Sequence, residues 1–446
     1  MNARGKFRYA LLLAGTLSTA APCYAAQTDE TVDARITRLE QELTELKALV
    51  KTKPSTTAAA DIQIVQPESA KKIDPQSPLQ VTSASGVKVQ LYGFARFDAS
   101  YDTNAISSGN YALCVLPKNG RNTDSEWNLT GAATRLGMNL SGPDTESMKL
   151  TGNIEMDFLS NIGAENNSSP RLRHAFLKAY WPASDFSILA GQTWDLVSSL
   201  IPFVDDVALM WEAGNIGSRH PQLRATKGFP TGNDGRLEMA VAASRSIGEK
   251  SFFQADTGKD AVMPTIQGRL AFSEPLIVKE QPATIAVSGH YGQEEWDTTS
   301  TGNYKQLDSW SCNLEVTMPL SKKLLLAGEC FTGSNLDDFL GGIGQGVNAS
   351  IPTAPRNIRT HGGWTALKYN MNPVTSISLG AGIDDPNNND IPALGRTLNQ
   401  TVFATLINRI TPNFILGLQL SQWKTEYKNA PESDAFRAQT SLTYTF

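Results

Sequence analysis

The residues equipped for covalent chemistry are few. Histidine occurs four times, as His174, His220, His290 and His361, and none stands beside a nucleophile or a second ligand in a recognisable motif. Outside the first 25 residues there are three cysteines, Cys114, Cys312 and Cys330, with no CxxC or paired-histidine spacing. An odd, scattered set is neither a disulfide framework nor a zinc site. No catalytic residue, metal or cofactor is expected, and the chain does not read as an enzyme. What remains is electrostatic chemistry. Ionised and polar groups recur at alternate positions between apolar residues, as in Lys149-Leu150-Thr151-Gly152-Asn153-Ile154-Glu155-Met156-Asp157, and arginines hold such positions in other segments. Arginine is always ionised and presents a planar fork to carboxylates, so a row of them favours anions that carry carboxylates.

Placing such a row takes a scaffold, and composition limits the choice. The 446 residues carry 39 Lys+Arg against 44 Asp+Glu, a net charge of −5, which argues against a nucleic-acid partner. Residues 1–25 have the form of an export signal: Arg4, Lys6 and Arg8, an apolar stretch Tyr9 to Ala21, then Cys23-Tyr24-Ala25. Cys23 invites a lipoprotein reading, but Pro22 and Ala20 spoil that motif. Removing the signal takes away three cations and no acid, so −5 becomes −8. No other long apolar run exists, so a helical membrane protein is excluded.

Residues 26–51 carry a heptad seam, with Val32, Ile36, Leu39, Leu43, Leu46 and Val50 at alternating steps of four and three. The seam is too short to be stable alone in water. Arg35-Ile36-Thr37-Arg38-Leu39-Glu40 resembles the signature of three-stranded coiled coils, in which Arg35 covers an apolar layer and Glu40 meets its neighbour. A homotrimer is expected, the alternative being a helix packed on its own barrel. Residues 52–86 hold Pro54, Pro67, Pro75 and Pro78 and read as an extended linker.

From residue 87 to 446 the period becomes two. Sixteen segments of about ten residues alternate apolar and polar side chains, from 88–102 to 433–446. Connections after odd segments are mostly long, among them 103–129, 195–219 and 333–358, whereas those after even segments are mostly short. The expected fold is all-β: a sixteen-stranded antiparallel transmembrane β-barrel in the bacterial outer membrane, with the helix in the periplasm. Trp181, Tyr101, Trp296, Trp310, Tyr427 and Tyr444 lie near segment ends, where aromatic rings suit the bilayer interfaces. The terminal Tyr444-Thr445-Phe446 resembles the signal read by the barrel-assembly machinery. With a turn near Pro319 to Lys322, Cys312 and Cys330 would lie almost opposite one another. They are expected as small lipid-facing residues, the alternative being a cross-strand disulfide.

Strand parity turns Arg96, Arg135, Lys178, Arg224 and Arg269 into the lumen. Arg171 and Arg173 fall on the other parity near the outer mouth, where either direction is open. Arg173 is counted with the lining residues. For each arginine the alternative is a mere wall pair with Asp98, Glu155 or Asp157.

With these features the chain resembles the trimeric DcaP-like (dicarboxylate-associated) porins of Gram-negative bacteria. The resemblance rests on the heptads and linker before the barrel and on three short stretches: Leu91-Tyr92-Gly93-Phe94-Ala95-Arg96-Phe97-Asp98, Arg171-Leu172-Arg173-His174-Ala175-Phe176 and Ala190-Gly191-Gln192-Thr193-Trp194. It implies passive diffusion of small anionic solutes such as dicarboxylates. It also implies that the third long connection, apolar from Leu196 to Trp211, folds inward as a constriction bearing Asp205, Asp206 and Glu212. The other partners expected are outer-membrane lipid and lipopolysaccharide. The competing reading is a surface adhesin or receptor, suggested by the long connections 103–129 and 333–358.

Overall fold

The computed structural model describes residues 80–446 apart from 108, 119–122, 160–167, 233, 246–260, 262 and 300–301. The expected export signal and the heptad segment with Arg35, Ile36, Leu39, Glu40, Leu43 and Leu46 lie outside the described residues.

Strict alternation gives each strand one apolar and one polar face, and only a closed sheet satisfies every backbone group in hydrocarbon. The sixteen barrel strands begin with β1 (Lys88–Asp102) and β2, which runs in two segments, Glu126–Thr130 and Arg135–Ser141. They continue as β3 (Lys149–Asp157), β4 (Arg171–Trp181), β5 (Phe186–Trp194), β6 (Arg219–Thr231), β7 (Gly235–Ser244) and β8 (Thr265–Val278). The second half is β9 (Gln281–Asp297), β10 (Tyr304–Pro319), β11 (Leu324–Ser334), β12 (Arg359–Asn370), β13 (Thr375–Pro386), β14 (Arg396–Thr411), β15 (Phe414–Tyr427) and β16 (Ala430–Thr445). Each strand pairs antiparallel with the next, and β16 returns to β1 through Phe94↔Thr445 to Asp102↔Arg437.

The seam explains part of the C-terminal motif. Phe446 exchanges backbone bonds with Gly93, N–H to O at 3.1 and 3.2 Å. A Cβ on Gly93 would stand 2.4 Å from the Arg135 carbonyl and 2.9 Å from the Phe446 ring, so this position tolerates only glycine. Tyr444 and Phe446 point outward and are exposed.

The outer face shows Leu177, Leu223, Ile285, Val402 and Leu420, while Gln267, Asn313, Thr425 and Ser433 are buried inside. Short turns such as 279–280 and 412–413 gather at one end and the long connections at the other. Four details differ from the sequence reading. Gln80–Thr82, expected in the linker, forms a short strand paired to β1. The last connection shrinks to 428–429, with Asn429 in the left-handed region at φ 60°. Trp296 and Tyr427 face inward and are buried, and the Tyr427 hydroxyl donates to the Val115 carbonyl of an inward-folded loop. Finally, β2 is broken at 131–134, where Ala132 and Ala133 pack on Tyr111, Leu159 and Ala208. There four residues oppose three of β1, between the pairs Asp98↔Thr130 and Phe94↔Arg135. This is a bulge, and bulges re-aim side chains.

Candidate functional site: a basic wall facing an inward-folded loop

The connection 195–218, between β5 and β6, lies within the barrel against its inner wall. Its apolar residues would be costly in water, and the wall covers them: Leu200, Phe203, Val204 and Met210 pack on Ala327, Trp364, Ala366 and Phe403. Polar wall residues hold its backbone. Leu196 N–H donates to Gln267 at 2.8 Å, Ser198 N–H to Ser288 at 3.2 Å and Leu200 N–H to Glu329 at 2.7 Å. The Ser199 hydroxyl donates to Glu315 at 2.8 Å. Further along, Asp205 N–H donates to Gln419 at 2.6 Å, and Asn399 donates to the Glu212 carbonyl at 2.7 Å. Among the described residues, no hydrogen bond from this loop goes to β2, β3 or β4.

Two more connections turn inward. Ala105, Ile106 and Tyr111 to Val115 are mostly buried, and Asn399 donates to the Leu113 carbonyl at 2.7 Å. Leu336, Phe339 and Ile343 are buried with Val197 and Ile216 of the first loop or beside them.

The stretch of wall that gives the 195–218 loop no hydrogen bond is basic. Arg173 donates to Glu155 at 2.7 Å and to Asp157 at 2.8 Å, Arg171 donates to Asp157 at 2.7 Å, and Arg135 lies 3.5 Å from Glu155. Parity had put Arg171 and Arg173 on the other face of β4. A bulge resolves this: Glu155 pairs with His174 and Met156 with Leu172, which leaves Arg173 as the extra residue, so both arginines and His174 turn inward. Arg219 completes the group. It lies over the Trp194 ring at 4.3 Å and 5.7 Å from the Trp211 ring, has no ion pair, and its buried Nη1 has no hydrogen-bond partner among the described residues. Four arginines thus stand against two carboxylates.

The other expected residues divide by role. Arg96 is bound by both Asp98 oxygens at 2.9 and 3.0 Å and reaches Asp205 at 3.4 Å, so it fastens the loop. Arg269 pairs with Glu315 at 2.9 Å. Arg224 donates to Gln222 at 2.9 Å and to the Trp194 carbonyl and has no ion pair among the described residues, while the Lys178 ammonium lies 5.8 Å from the Tyr180 ring. Asp205 and Asp206 face the wall rather than a gap: Ser441 donates to Asp205 at 2.9 Å, and Arg437 lies 3.6 Å from Asp206. Both are buried because a loop pressed to the wall turns its carboxylates to the nearest arginines. Burial pushes the carboxyls of Asp205, Asp206 and Glu212 upward, against the pull of Arg96, Arg437 and Arg396.

The sequence reading missed Arg219, because it fell in the connection 195–219, and Arg437, which pairs with Asp102 at 2.8 Å. Arg437 was legible: it shares the inward parity of Gln439 and Ser441. Cys312 and Cys330 are free, exposed and outward-facing. They are not opposite, since Cys312 pairs with Thr332 and Cys330 with Leu314.

Comparison with known proteins agrees with the barrel fold. The family model described as DcaP outer membrane protein matches residues 28–207. No curated protein matches the chain. Among solved structures, the outer membrane channel DcaP of Acinetobacter baumannii superposes with a TM-score of 0.66 at 19% identity, covering 82% of this chain and 99% of that one. An anion-selective porin from Comamonas acidovorans gives 0.53 at 12% identity, with 81% and 100% covered. Salmonella typhi OmpF, in complex with daunomycin, gives 0.51 at 11% identity, with 82% and 100% covered. The family match over residues 28–207 and the barrel shared with the solved DcaP channel make this chain similar to the DcaP outer-membrane proteins.

Proposed function

We propose that the porin passes small anions, dicarboxylates among them, along the basic wall of β2 to β4 and Arg219. One observation carries this reading: three arginines on the strands that the 195–218 loop leaves without a hydrogen bond, with Arg219 as a fourth at the start of β6, stand against two carboxylates among the described residues. Fixed charge in a narrow, low-dielectric passage raises the local concentration of the opposite ion. The choice of dicarboxylates comes from the family resemblance, and arginine forks suit them. The functional unit is a trimer joined through the heptads of residues 26–51. The adhesin reading weakens because 103–118 and 335–346 bury much of their side-chain surface inside the barrel.

The test is single-channel recording in planar bilayers under a salt gradient, with and without succinate. Triplet steps, an anion-selective reversal potential and block by succinate are expected. Arg219→Ala and Arg135→Ala should each move the reversal potential toward zero in a folded barrel. Unchanged potentials in both would overturn the basic wall as the selectivity element.

A further inference from the structure

We infer that Phe339 is a wedge that sets the width of the constriction, acting through two loops at once. It lies on the connection 335–346, after β11, and is 1% exposed. Its ring enters a slot between two histidines of the wall. The His290 ring stacks on it at 4.0 Å between centroids and 22° between planes, and the His220 ring stands at 5.3 Å and 50°.

Hydrogen bonds fix both sides of the slot, one of them reaching the wedge's own connection. The Ser309 hydroxyl donates to the Asn335 carbonyl at 2.7 Å, so it accepts from His290 Nε2–H at 2.9 Å. Asn313 donates to Ser311 at 3.2 Å, and the Ser311 hydroxyl donates on to His290 Nδ1 at 2.9 Å. Both ring nitrogens are therefore committed, and the ring plane is fixed. On the other side His220 Nδ1 lies 2.9 Å from Asp195, which also accepts from Gln267 at 2.9 Å.

The seated wedge then holds the constriction loop. Gly217 N–H donates to the Phe339 carbonyl at 2.7 Å and Glu212 N–H to the Leu340 carbonyl at 3.0 Å. Both loops are strained here. Leu340 and Ile343 have φ of 62° and 54°, and Leu209, Met210 and Glu212 have 55°, 61° and 62°. Left-handed backbone is unfavourable for side-chain-bearing residues, and most of all for a β-branched one such as Ile343. Such strain persists only while the surroundings enforce it. Without the ring, both loops relax away from their present seats and the passage widens.

Phe339→Ala should raise single-channel conductance by about twofold, admit larger anions, and expose residues 335–346 to proteinase K in detergent. Phe339→Leu keeps the apolar volume without the flat ring and should fall between the two. It decides the matter if Phe339→Ala does not fold. Wild-type conductance and protection in both variants, with folded mobility on gels, would overturn the wedge. The inference rests on the porin reading for its conductance arm only. A wild-type protein that never conducts would sink that reading, and the cleavage pattern alone would then decide for or against the wedge.

Discussion

Two arcs of the same inner wall do different work. From β8 through β16 and on to Arg96 of β1, inward polar groups meet loop atoms. Glu329 accepts from Leu200 N–H and Trp364 Nε1, Gln419 from Asp205 N–H, and Asp384 from Ile343 N–H at 3.1 Å and Thr360 at 2.6 Å. On β2 to β4 the inward charges meet mainly each other, and arginines outnumber carboxylates. The first arc is a mount, whose buried acceptors are answered by backbone N–H groups. Each such bond contributes about 0.5–1.5 kcal/mol net, so several together hold an apolar loop in place. In the proposed function the second arc faces solute. On that reading, pressing the loop onto one arc concentrates the solute path on the other.

The largest expected effect comes from unseating the loop at Gly214. Its φ is 110°, and a Cβ there would stand 2.2 Å from the Gly363 carbonyl of β12. Gly214→Val should keep the barrel folded, as read by heat-modifiable mobility, while conductance rises and anion preference falls sharply. If conductance and selectivity both stay at wild-type values, the mount does not shape the path. Next comes Glu155→Gln, which strips the basic arc of one of its two carboxylates. Anion preference should increase, and stability should fall by about 1.5–3 kcal/mol, because Arg173 loses a bond to a charged group but keeps Asp157. A variant with lower anion preference would mean that Glu155 itself serves the permeating ion. Arg224→Ala should produce a smaller drop in anion preference than Arg219→Ala, since Arg224 already has neutral acceptors in Gln222 and Trp194. An equal or larger drop would move the selective region toward β6 and β7.

The mount was more legible in sequence than the basic arc. Period-two alternation and the long–short alternation of connections determine strand number and which residues face inward, so Arg96, Arg135, Arg224 and Arg269 could be placed. A period carries no information where a bulge changes parity, which is why parity alone could not turn Arg171 and Arg173 inward as the extra residue in β4 does. Nor does it reach loops. Arg219 sat at a strand boundary, where assignments slip by a residue or two. That Asp205 and Asp206 would fasten the loop rather than line a gap depends on Arg96, Arg437 and Gln419, which come from strands far away in sequence. Apolar residues in a long connection did signal that it would not stay in water, and that signal held.

The smallest expected effect tests the register on which the mount depends. Glu315 and Glu329 face each other across β10 and β11, and the same ladder sets Leu314 opposite Cys330 and Thr332 opposite Cys312. The two cysteines are therefore diagonal neighbours, about 7–8 Å apart, whereas a disulfide needs Cα atoms within about 4.4–6.8 Å. Both thiols should react with an apolar maleimide in detergent, and reductant should leave the melting temperature unchanged. Replacing both by serine should shift stability by no more than about 0.5 kcal/mol each, since neither packs in the interior. A reductant-sensitive mobility shift would mean a two-residue slip between β10 and β11. Such a slip would carry Glu315 and Glu329 away from Ser199 and Leu200, leaving the loop without its anchors on that side and removing the distinction between the arcs.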